Sequence, residues 1–116
     1  MVCYFGSWAV YRQGLGKFDV EDIDPKICTH AIFGFAGLSF TALKQQNANM
    51  KAILAVGGWN EGSAKYSTMA ADPARRNRFI TSSIDLLKKH GFDGLDMDWE
   101  YPTQRGGNPE DYVCLR

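Results

Sequence analysis

The sequence predicts an α/β fold in which parallel strands form one sheet with helices outside it. The first observation is a set of four segments that are apolar at both alternating positions, over residues 2–8, 30–36, 51–56 and 94–100. Strands that are covered on both faces have this continuous apolar pattern. The second observation is that turn signals and helical patterns separate these segments. The resulting β-α-β-α order favours a parallel sheet.

Length, composition and charge restrict the classes of function. The 116 residues make one domain or part of one, and 13 basic residues balance 13 acidic residues. A balanced charge creates no general attraction to nucleic acid or to an anionic membrane. No run of about 18 apolar residues could span a bilayer, and the first residues lack the basic and apolar regions of a signal peptide. We therefore expect neither nucleic acid nor a membrane as a partner.

The clearest predicted helix begins after Asp72. Asp72 can act as its N-cap with Pro73 at the first helical position, and Gly91 can end it. Between these signals, apolar residues recur at steps of three and four and predict one apolar stripe, formed by Phe79, Ile80, Ile84 and Leu87.

The fourth predicted strand carries an alternating acidic pattern, because residues 93–100 read Asp-Gly-Leu-Asp-Met-Asp-Trp-Glu. Successive side chains on a strand point to opposite faces, so Asp96, Asp98 and Glu100 share one face. The large apolar residues that share the other face, and can pack beneath helices, are Leu95, Met97 and Trp99. Asp93 has the opposite parity to the acidic face, and we expect it to serve the turn into the strand.

Three carboxylates in a row favour either acid catalysis or metal binding. Neighbours on one strand face lie about 6–7 Å apart, where two charges repel by roughly 2.5 kcal/mol at an effective dielectric of about 20. Simultaneous ionisation is therefore disfavoured, and a carboxylic acid that keeps its proton suits glycoside cleavage. Glu100 lies nearest the carboxyl end of the strand, where parallel α/β folds place their chemistry. A divalent metal site fits the spacing equally well, whereas an edge strand fits poorly beside such large apolar residues.

Glycines and aromatic residues mark further candidate positions. Gly57 and Gly58 follow the third strand, where they permit a close approach to the backbone or form a tight turn. Tyr4 and Phe33, in the first two strands, could line a sugar site, because planar rings stack on the apolar faces of sugars, or could belong to the core. No phosphate-binding loop follows the glycines, and neither histidine has a partner at metal-binding spacing.

These motifs together resemble those of the family 18 glycoside hydrolases, the chitinases and chitinase-like lectins. Residues 93–100 match the signature D-x-x-D-x-D-x-E in full. Gly57 and Gly58 match the glycine pair of the signature S-x-G-G, with Ala55 where serine is usual. Residues 3–8 and 28–30 are similar to the first two strands of animal chitinases, and residues 60–63 and 93–102 are closest to arthropod forms.

The resemblance implies a TIM barrel, of which residues 1–116 are the N-terminal part with about the first four β/α units. It implies substrate-assisted, retaining hydrolysis of β-1,4-linked N-acetylglucosamine in chitin, without a metal or another cofactor. Glu100 would protonate the glycosidic oxygen and later activate water. Asp98 would orient the substrate's acetamide, which attacks the anomeric carbon, and Asp96 would hold Asp98 and share its proton.

The resemblance also implies binding residues, a disulfide and a location. The candidates for substrate binding are Tyr4, Phe33, Gly57, Gly58, Trp59 and Tyr101. Cys3 and Cys28 match a family disulfide, which requires an oxidising compartment, whereas Cys114 has no counterpart. We therefore expect an extracellular protein whose partners are chitin or chito-oligosaccharides.

Departures from the family pattern bear on activity. Four strands are half of a closed barrel, the family's later Met-x-Tyr-Asp segment and final tryptophan are absent, and the link between Leu38 and Phe40 is short. We expect a fragment that is weakly active or inactive alone and that associates with itself through the open barrel edge. The alternatives are a non-catalytic, lectin-like chitin-binding protein and an inactive truncated product. The acid Glu100 favours the enzyme, because chitinase-like lectins usually replace it.

Overall fold

The computed structural model describes residues 1–34 and 43–114, with side chains through residue 112. Within these residues the strands are β1 (Val2–Gly6), β2 (His30–Gly34), β3 (Lys51–Gly57) and β4 (Gly94–Asp98). The α-helices are α1 (Leu43–Gln46), α2 (Ala64–Ala71), α3 (Pro73–His90) and α4 (Asp111–Cys114). Short 3-10 helices cover Ser7–Tyr11, Gly14–Gly16, Val20–Asp22 and Trp59–Glu61.

The described strands form one sheet in the order β1-β2-β3-β4. β1 pairs in parallel with β2, with Val2 opposite His30, and β2 pairs in parallel with β3, with His30 opposite Lys51. The predicted α/β class with a parallel sheet is therefore confirmed. Self-association through a sheet edge stays a prediction.

The strand ends differ from the predicted ones. β1 stops at Gly6 because the chain turns into a 3-10 helix at Ser7. β3 continues through Gly57, and β4 stops at Asp98, two residues before Glu100. The last residues of the predicted second strand, 35 and 36, lie outside the described residues, as does the short link between residues 38 and 40.

Contacts divide the chain into two units, of which the first contains residues 1–55 and 87–96. Its core consists of apolar side chains from the strands and the segments after them: Phe5, Val20, Cys28, Ala31, Phe33, Leu43, Met50 and Ala52. The rings of Phe5 and Phe33 stack with their centroids 5.4 Å apart. Cys3 and Cys28 form the expected disulfide, with their Cα atoms 5.9 Å apart.

Asp93 fastens the start of β4 within the first unit. Its carboxylate pairs with Lys44 Nζ at 2.8 Å and Lys51 Nζ at 3.7 Å, and it accepts a hydrogen bond from the Ala52 N–H at 2.9 Å. Burial alone would raise the pKa of Asp93, but the Lys44 and Ala52 hydrogen bonds and the lysine charges outweigh it and lower that pKa. The charged carboxylate therefore joins β3 and α1 to β4.

The second unit contains residues 56–86 and 97–116 and has a smaller core. Tyr66, Ala70 and Trp99 are buried together, and the rings of Tyr66 and Trp99 lie 5.6 Å apart. Met69 and Met97 pack against this cluster. The sequence did not predict α2, which supplies most of these contacts.

The position of β4 corrects one expectation. β4 is an outer strand of the described sheet, although its large apolar residues argued against an edge position. The side chains of Met97 and Trp99 are instead covered by α2, so that a helix protects the apolar side of this region. Packing beneath a helix was predicted for these two residues and is confirmed.

Helix α3 begins and ends where its capping signals predict. The Asp72 carboxylate accepts hydrogen bonds from the N–H groups of Ala74 at 2.8 Å and Arg75 at 3.4 Å. The Ala74 hydrogen bond is the main cause of the lowered pKa of Asp72. Gly91 ends the helix with a φ of 74°, which glycine adopts without strain.

The predicted apolar stripe of α3 is only partly correct. Phe79 and Leu87 are half-buried, but Ile80 is 52% exposed and Ile84 is 44% exposed. The half-buried positions instead follow one helical line through residues 76, 79, 83, 87 and 90.

Candidate active site

The acidic residues of the predicted motif occupy the end of β4 and the segment after it. Asp96 belongs to the first unit, whereas Asp98 and Glu100 belong to the second unit, and all three are half-buried. Asp96 and Asp98 share one face of the strand because side chains alternate along it. Glu100 lies two residues beyond the strand, and the peptide bond between Glu100 and Tyr101 is cis.

The glycine pair lies against the backbone of Asp98. The Gly58 N–H donates a hydrogen bond to the Asp98 carbonyl oxygen at 2.6 Å. A Cβ atom on Gly57 would overlap that same carbonyl oxygen, and Gly57 has a φ of 118° that disfavours any other residue. A Cβ atom on Gly58 would lie 3.7 Å from Asp98 Oδ2. The close approach predicted for these glycines is therefore to the carboxyl end of β4.

A buried serine connects the segments around Glu100. Ser63 is completely buried, and its hydroxyl accepts a hydrogen bond from Trp99 Nε1 at 2.9 Å. The same hydroxyl donates to the Tyr101 carbonyl oxygen at 2.9 Å. The Ser63 N–H donates to the Arg105 carbonyl oxygen at 3.3 Å. One residue before α2 thus holds the residues on both sides of Glu100.

Two exposed aromatic side chains lie in the same unit. Trp59 is 57% exposed and Tyr101 is 47% exposed. The Arg105 guanidinium carbon lies 3.6 Å from the centroid of the Trp59 ring, and Arg105 Nη1 donates to the Trp59 carbonyl oxygen at 2.6 Å. The arginine therefore fixes the orientation of an exposed indole ring, which leaves an apolar face available for stacking.

A second polar cluster lies between α2 and the start of α4. Asp111 is 2% exposed, and its carboxylate accepts hydrogen bonds from Ser67 Oγ at 3.1 Å and from the Asn108 N–H at 2.7 Å. Asn108 Nδ2 also donates to Ser67 Oγ at 2.8 Å. This cluster ties α2 to the start of α4 and closes the loop that follows the acidic motif.

The charge of Asp98 acts on the core of the second unit. Burial raises the pKa of Tyr66, and the negative charge of Asp98 raises it further. Asp98 therefore interacts electrostatically with Tyr66 within the second unit.

The remaining binding candidates lie in the first unit. Tyr4 is 51% exposed, whereas Phe33 is 4% exposed and belongs to the core. The structure therefore gives Phe33 a packing role, and its contact with a substrate stays a prediction. Within residues 1–34 and 43–114, no His, Cys, Asp and Glu side chains gather into a group of three that could hold a metal ion. In the same part of the chain, no helix is long and apolar enough to cross a membrane.

Sequence reasoning missed the residues that hold the second unit together. Neither signature motif contains these residues, and their main hydrogen-bond partners are distant in sequence. They are Ser63, Ser67, Arg105 and Asp111. One signal is the short run Asn60-Glu61-Gly62-Ser63 beside the glycine pair. This run is similar to arthropod forms, but the similarity does not indicate a role for the serine hydroxyl. A hydroxyl that bonds a residue 36 positions away leaves no periodic pattern.

Comparison with known families gives a match over nearly the whole chain. Residues 1–115 match the profile of the glycosyl hydrolases family 18. The chain is 42% identical to probable chitinase 2 of Drosophila melanogaster, over 96% of this chain and 28% of that protein. That alignment runs over 137 residues, although this chain has 116, so the relative carries additional residues inside the matched stretch.

Solved structures give the same relationship. The chain is 44% identical to the Ostrinia furnacalis group IV chitinase in complex with allosamidin, with a TM-score of 0.87 over 98% of this chain and 37% of that one. Human YKL-39, described as a pseudo-chitinase with retained chitooligosaccharide binding, is 33% identical with a TM-score of 0.80, over 98% of this chain and 36% of that one.

The length of the match defines what the chain represents. The chain spans about a quarter of the length of the curated relatives it matches. The described sheet corresponds to about the first four β/α units of the family's TIM barrel. With a matching profile over residues 1–115, the chain belongs to the glycosyl hydrolases family 18.

Proposed function

We propose that this chain carries the acid-base centre of a hydrolase that cleaves β-1,4-linked N-acetylglucosamine polymers, with Glu100 as general acid. The observation that carries the proposal is the position of Glu100 at the carboxyl end of β4. It is flanked by Trp99 and Tyr101, both of which are hydrogen-bonded to the buried Ser63. Relatives named as chitinases, including the endochitinase of Manduca sexta at 43% identity, support this substrate class.

In the proposed mechanism, the protonated Glu100 carboxyl donates its proton to the glycosidic oxygen as the bond to the anomeric carbon breaks. The carbonyl oxygen of the substrate's own acetamide attacks that carbon, so no enzyme nucleophile is needed. Asp98 orients the acetamide and stabilises the positive charge that develops on it. The Glu100 carboxylate then takes a proton from water, which opens the cyclic intermediate with retention. Asp96 holds Asp98 and shares its proton.

Substrate contacts in the proposal come from exposed aromatic rings and the glycine turn. Trp59 and Tyr101 offer apolar faces to sugar rings in the second unit, and Tyr4 does so in the first unit. Gly57 and Gly58 bring the end of β3 against Asp98, which receives the acetamide in the proposal. No cofactor takes part. The disulfide between Cys3 and Cys28 supports an extracellular location, because such bonds persist in oxidising compartments.

The test is hydrolysis of a fluorogenic N-acetylglucosamine oligomer by the purified chain. The matched control is the same fluorogenic leaving group on a glucose oligomer, which lacks the acetamide. We expect weak turnover of the first substrate only, because the chain holds part of the barrel and the acetamide supplies the nucleophile. Equal turnover of both substrates, or no turnover by a folded sample, would contradict the proposal.

A second candidate function is saccharide binding without hydrolysis. The exposed Trp59 ring, held from its other face by Arg105, favours it because stacking needs no catalytic acid. YKL-39, described as a pseudo-chitinase with retained chitooligosaccharide binding, is a relative of this kind. Retention of the chain on chitin beads, together with no release of fluorophore over a day, would support this candidate against the first.

A further inference from the structure

We propose that Ser63 is the positioning residue for Glu100, and that its hydroxyl fixes the carboxyl by holding the residues on both sides of it. The inference rests on the proposed function for its kinetic consequence, but its structural content does not. Ser63 is not part of either signature motif, and it lies 37 positions before Glu100 in the sequence.

The direction of each hydrogen bond at Ser63 is determined by its partner. The indole N–H of Trp99 can only donate, so the Ser63 oxygen must accept this bond at 2.9 Å. The Tyr101 carbonyl can only accept, so the single hydroxyl proton must point to it at 2.9 Å. The hydroxyl is therefore held in one orientation, with its proton committed to the Tyr101 carbonyl.

The backbone of Ser63 is equally constrained. Its N–H donates to the Arg105 carbonyl, and its carbonyl oxygen accepts from the Ser67 N–H at 2.9 Å in the first turn of α2. Ser63 occupies the N-cap position of α2, where a serine hydroxyl usually bonds the helix N–H groups. No such cap bond forms here. The hydroxyl is used instead for the segment around Glu100.

Burial makes this arrangement rigid. Ser63 has no exposed surface, and Trp99 is 6% exposed, so water cannot replace the serine oxygen at the indole N–H. Loss of the hydroxyl would leave the indole N–H and the Tyr101 carbonyl without this partner. The Trp99 side chain and the Tyr101 carbonyl would then be less restrained, and the Glu100 carboxyl between these two residues with them. Misplacement of a catalytic group by about 1 Å can reduce the rate by about 100-fold.

The chain offers a matched control for Ser63 on the same helix. Ser67 is 3% exposed and lies one helical turn later, and its hydroxyl also makes two side-chain hydrogen bonds. Its partners are Asp111 and Asn108 rather than the neighbours of Glu100. Ser67→Ala therefore removes the same group from a similar environment and has a similar effect on folding. It does not release Trp99 or Tyr101.

The first measurement compares steady-state kinetics of Ser63→Ala, Ser67→Ala and the unaltered chain on the fluorogenic N-acetylglucosamine oligomer. We expect Ser63→Ala to lower kcat by at least about tenfold with little change in KM. Ser67→Ala should keep both constants within about twofold. Equal kcat values for the two variants would overturn the inference.

The second measurement does not depend on turnover. NMR of the chain labelled with ¹³C-glutamate gives the Glu100 γ-methylene signals, which Glu100→Gln identifies by their loss. A fixed side chain gives two distinct proton shifts, and a freely rotating one gives nearly equal shifts. We expect distinct shifts in the unaltered chain and in Ser67→Ala, and averaged shifts in Ser63→Ala. Unchanged Glu100 signals in Ser63→Ala would overturn the inference.

The two measurements separate the two proposals. If neither the unaltered chain nor its variants show turnover, the proposed function fails. The NMR comparison alone then decides the role of Ser63. If Ser63→Ala does not fold, Trp99→Phe removes the indole N–H together with part of the ring volume and keeps an aromatic ring in the core. We then expect partial averaging of the Glu100 signals, and unchanged signals would again overturn the inference.

Discussion

The two units of the chain use their strongest side-chain interactions in different ways. In the first unit these interactions connect parts of the scaffold, since Cys28 is bonded to Cys3 on β1 and Asp93 is paired with Lys44 and Lys51. In the second unit they hold loops around a motif, since Ser63 bonds the residues on both sides of Glu100. The first pattern stabilises strand positions, and the second holds the neighbours of the proposed general acid.

The two carboxylates at opposite ends of the acidic motif show this difference most clearly. Asp93 makes two ion pairs and accepts a backbone hydrogen bond through its own side chain. Within the described residues, no hydrogen bond or ion pair engages the Glu100 carboxyl, and its neighbours in sequence carry the constraints instead. A group that must transfer a proton benefits from this arrangement, because its position is fixed while its oxygens remain available. Substitutions that break these contacts in the first unit should therefore change stability, and those that release the neighbours of Glu100 in the second unit should change activity as well.

The largest effect on folding is expected from Gly57→Ala. The new Cβ would overlap the Asp98 carbonyl oxygen at a φ of 118°, so strain and overlap together should lower the free energy of unfolding by about 3–5 kcal/mol. Gly62→Ala is the control, because Gly62 has a φ of 63° and no atom within 4 Å of the added Cβ. It should cost about 1–2 kcal/mol. Equal midpoints for the two variants in urea unfolding would show that the Gly57 contact is unimportant.

Removal of the disulfide should have the next largest effect, confined to stability. The bond joins residues 25 positions apart, for which the chain-entropy model gives about 3.5 kcal/mol. The double variant Cys3→Ser, Cys28→Ser should therefore unfold at lower urea concentration. Its turnover per folded molecule should equal that of the unaltered chain. A fall in kcat greater than the fall in folded fraction would mean that the disulfide also positions catalytic groups.

Asp93→Asn should lower the free energy of unfolding by about 1–2 kcal/mol at neutral pH, since charge-assisted bonds to Lys44 and Ala52 are weakened. The folded-state pKa of Asp93 is lowered, so the unfolded chain binds its proton first as the pH falls. The contribution is therefore complete above about pH 3.9, the usual value for aspartate, and is lost as the pH falls through the folded-state pKa.

Urea unfolding at several pH values measures this dependence. Asp85→Asn on the exposed surface of α3 is the control for the loss of one negative charge. The difference between the Asp93 and Asp85 variants should disappear in acid. A difference that persists well below the folded-state pKa would assign the effect to packing rather than to charge.

The smallest effect is expected from Arg105→Ala. The guanidinium stacks on the Trp59 ring at 3.6 Å, and a partly exposed cation–π pair contributes about 0.5–1 kcal/mol. Without it the indole is less ordered, so the Kd for an N-acetylglucosamine oligomer should rise about two- to fivefold. Titration followed by tryptophan fluorescence measures this change, with Arg78→Ala on α3 as control. Identical affinities for both variants would remove Trp59 from the binding surface.

Local signals allowed much of the fold to be predicted from the sequence. Asp72, Pro73 and Gly91 act on the backbone within a few residues, and they fixed both ends of α3 correctly. Helix α2 has no comparable stripe or cap bond, and it is stabilised by packing against Trp99 from a distant segment. Helical spacing predicts one apolar stripe that includes Ile80 and Ile84. It does not say which side of the helix has a neighbour, so the exposure of these two residues could not be predicted.

For the site, the sequence predicts the types of reactive side chain but not the contacts that position them. The alternation of acids identified Asp96 and Asp98 on one strand face, but it extended the strand to Glu100, two residues too far. Neither the glycine contact with the Asp98 carbonyl nor the Ser63 hydrogen bonds follow from spacing, because both join segments that approach only in the folded chain. Which groups react therefore stays a prediction from the sequence, and the structure adds the contacts of the residues around them.

The most direct test of the central claim compares Glu100→Gln with Glu110→Gln in hydrolysis of the fluorogenic N-acetylglucosamine oligomer. Glu110 is exposed and lies outside the acidic motif, so its variant controls for loss of a carboxylate. We predict that Glu100→Gln lowers kcat by about 10²–10⁴-fold, with the urea midpoint and the saccharide affinity unchanged. Turnover that survives in Glu100→Gln at the level of Glu110→Gln would contradict the account.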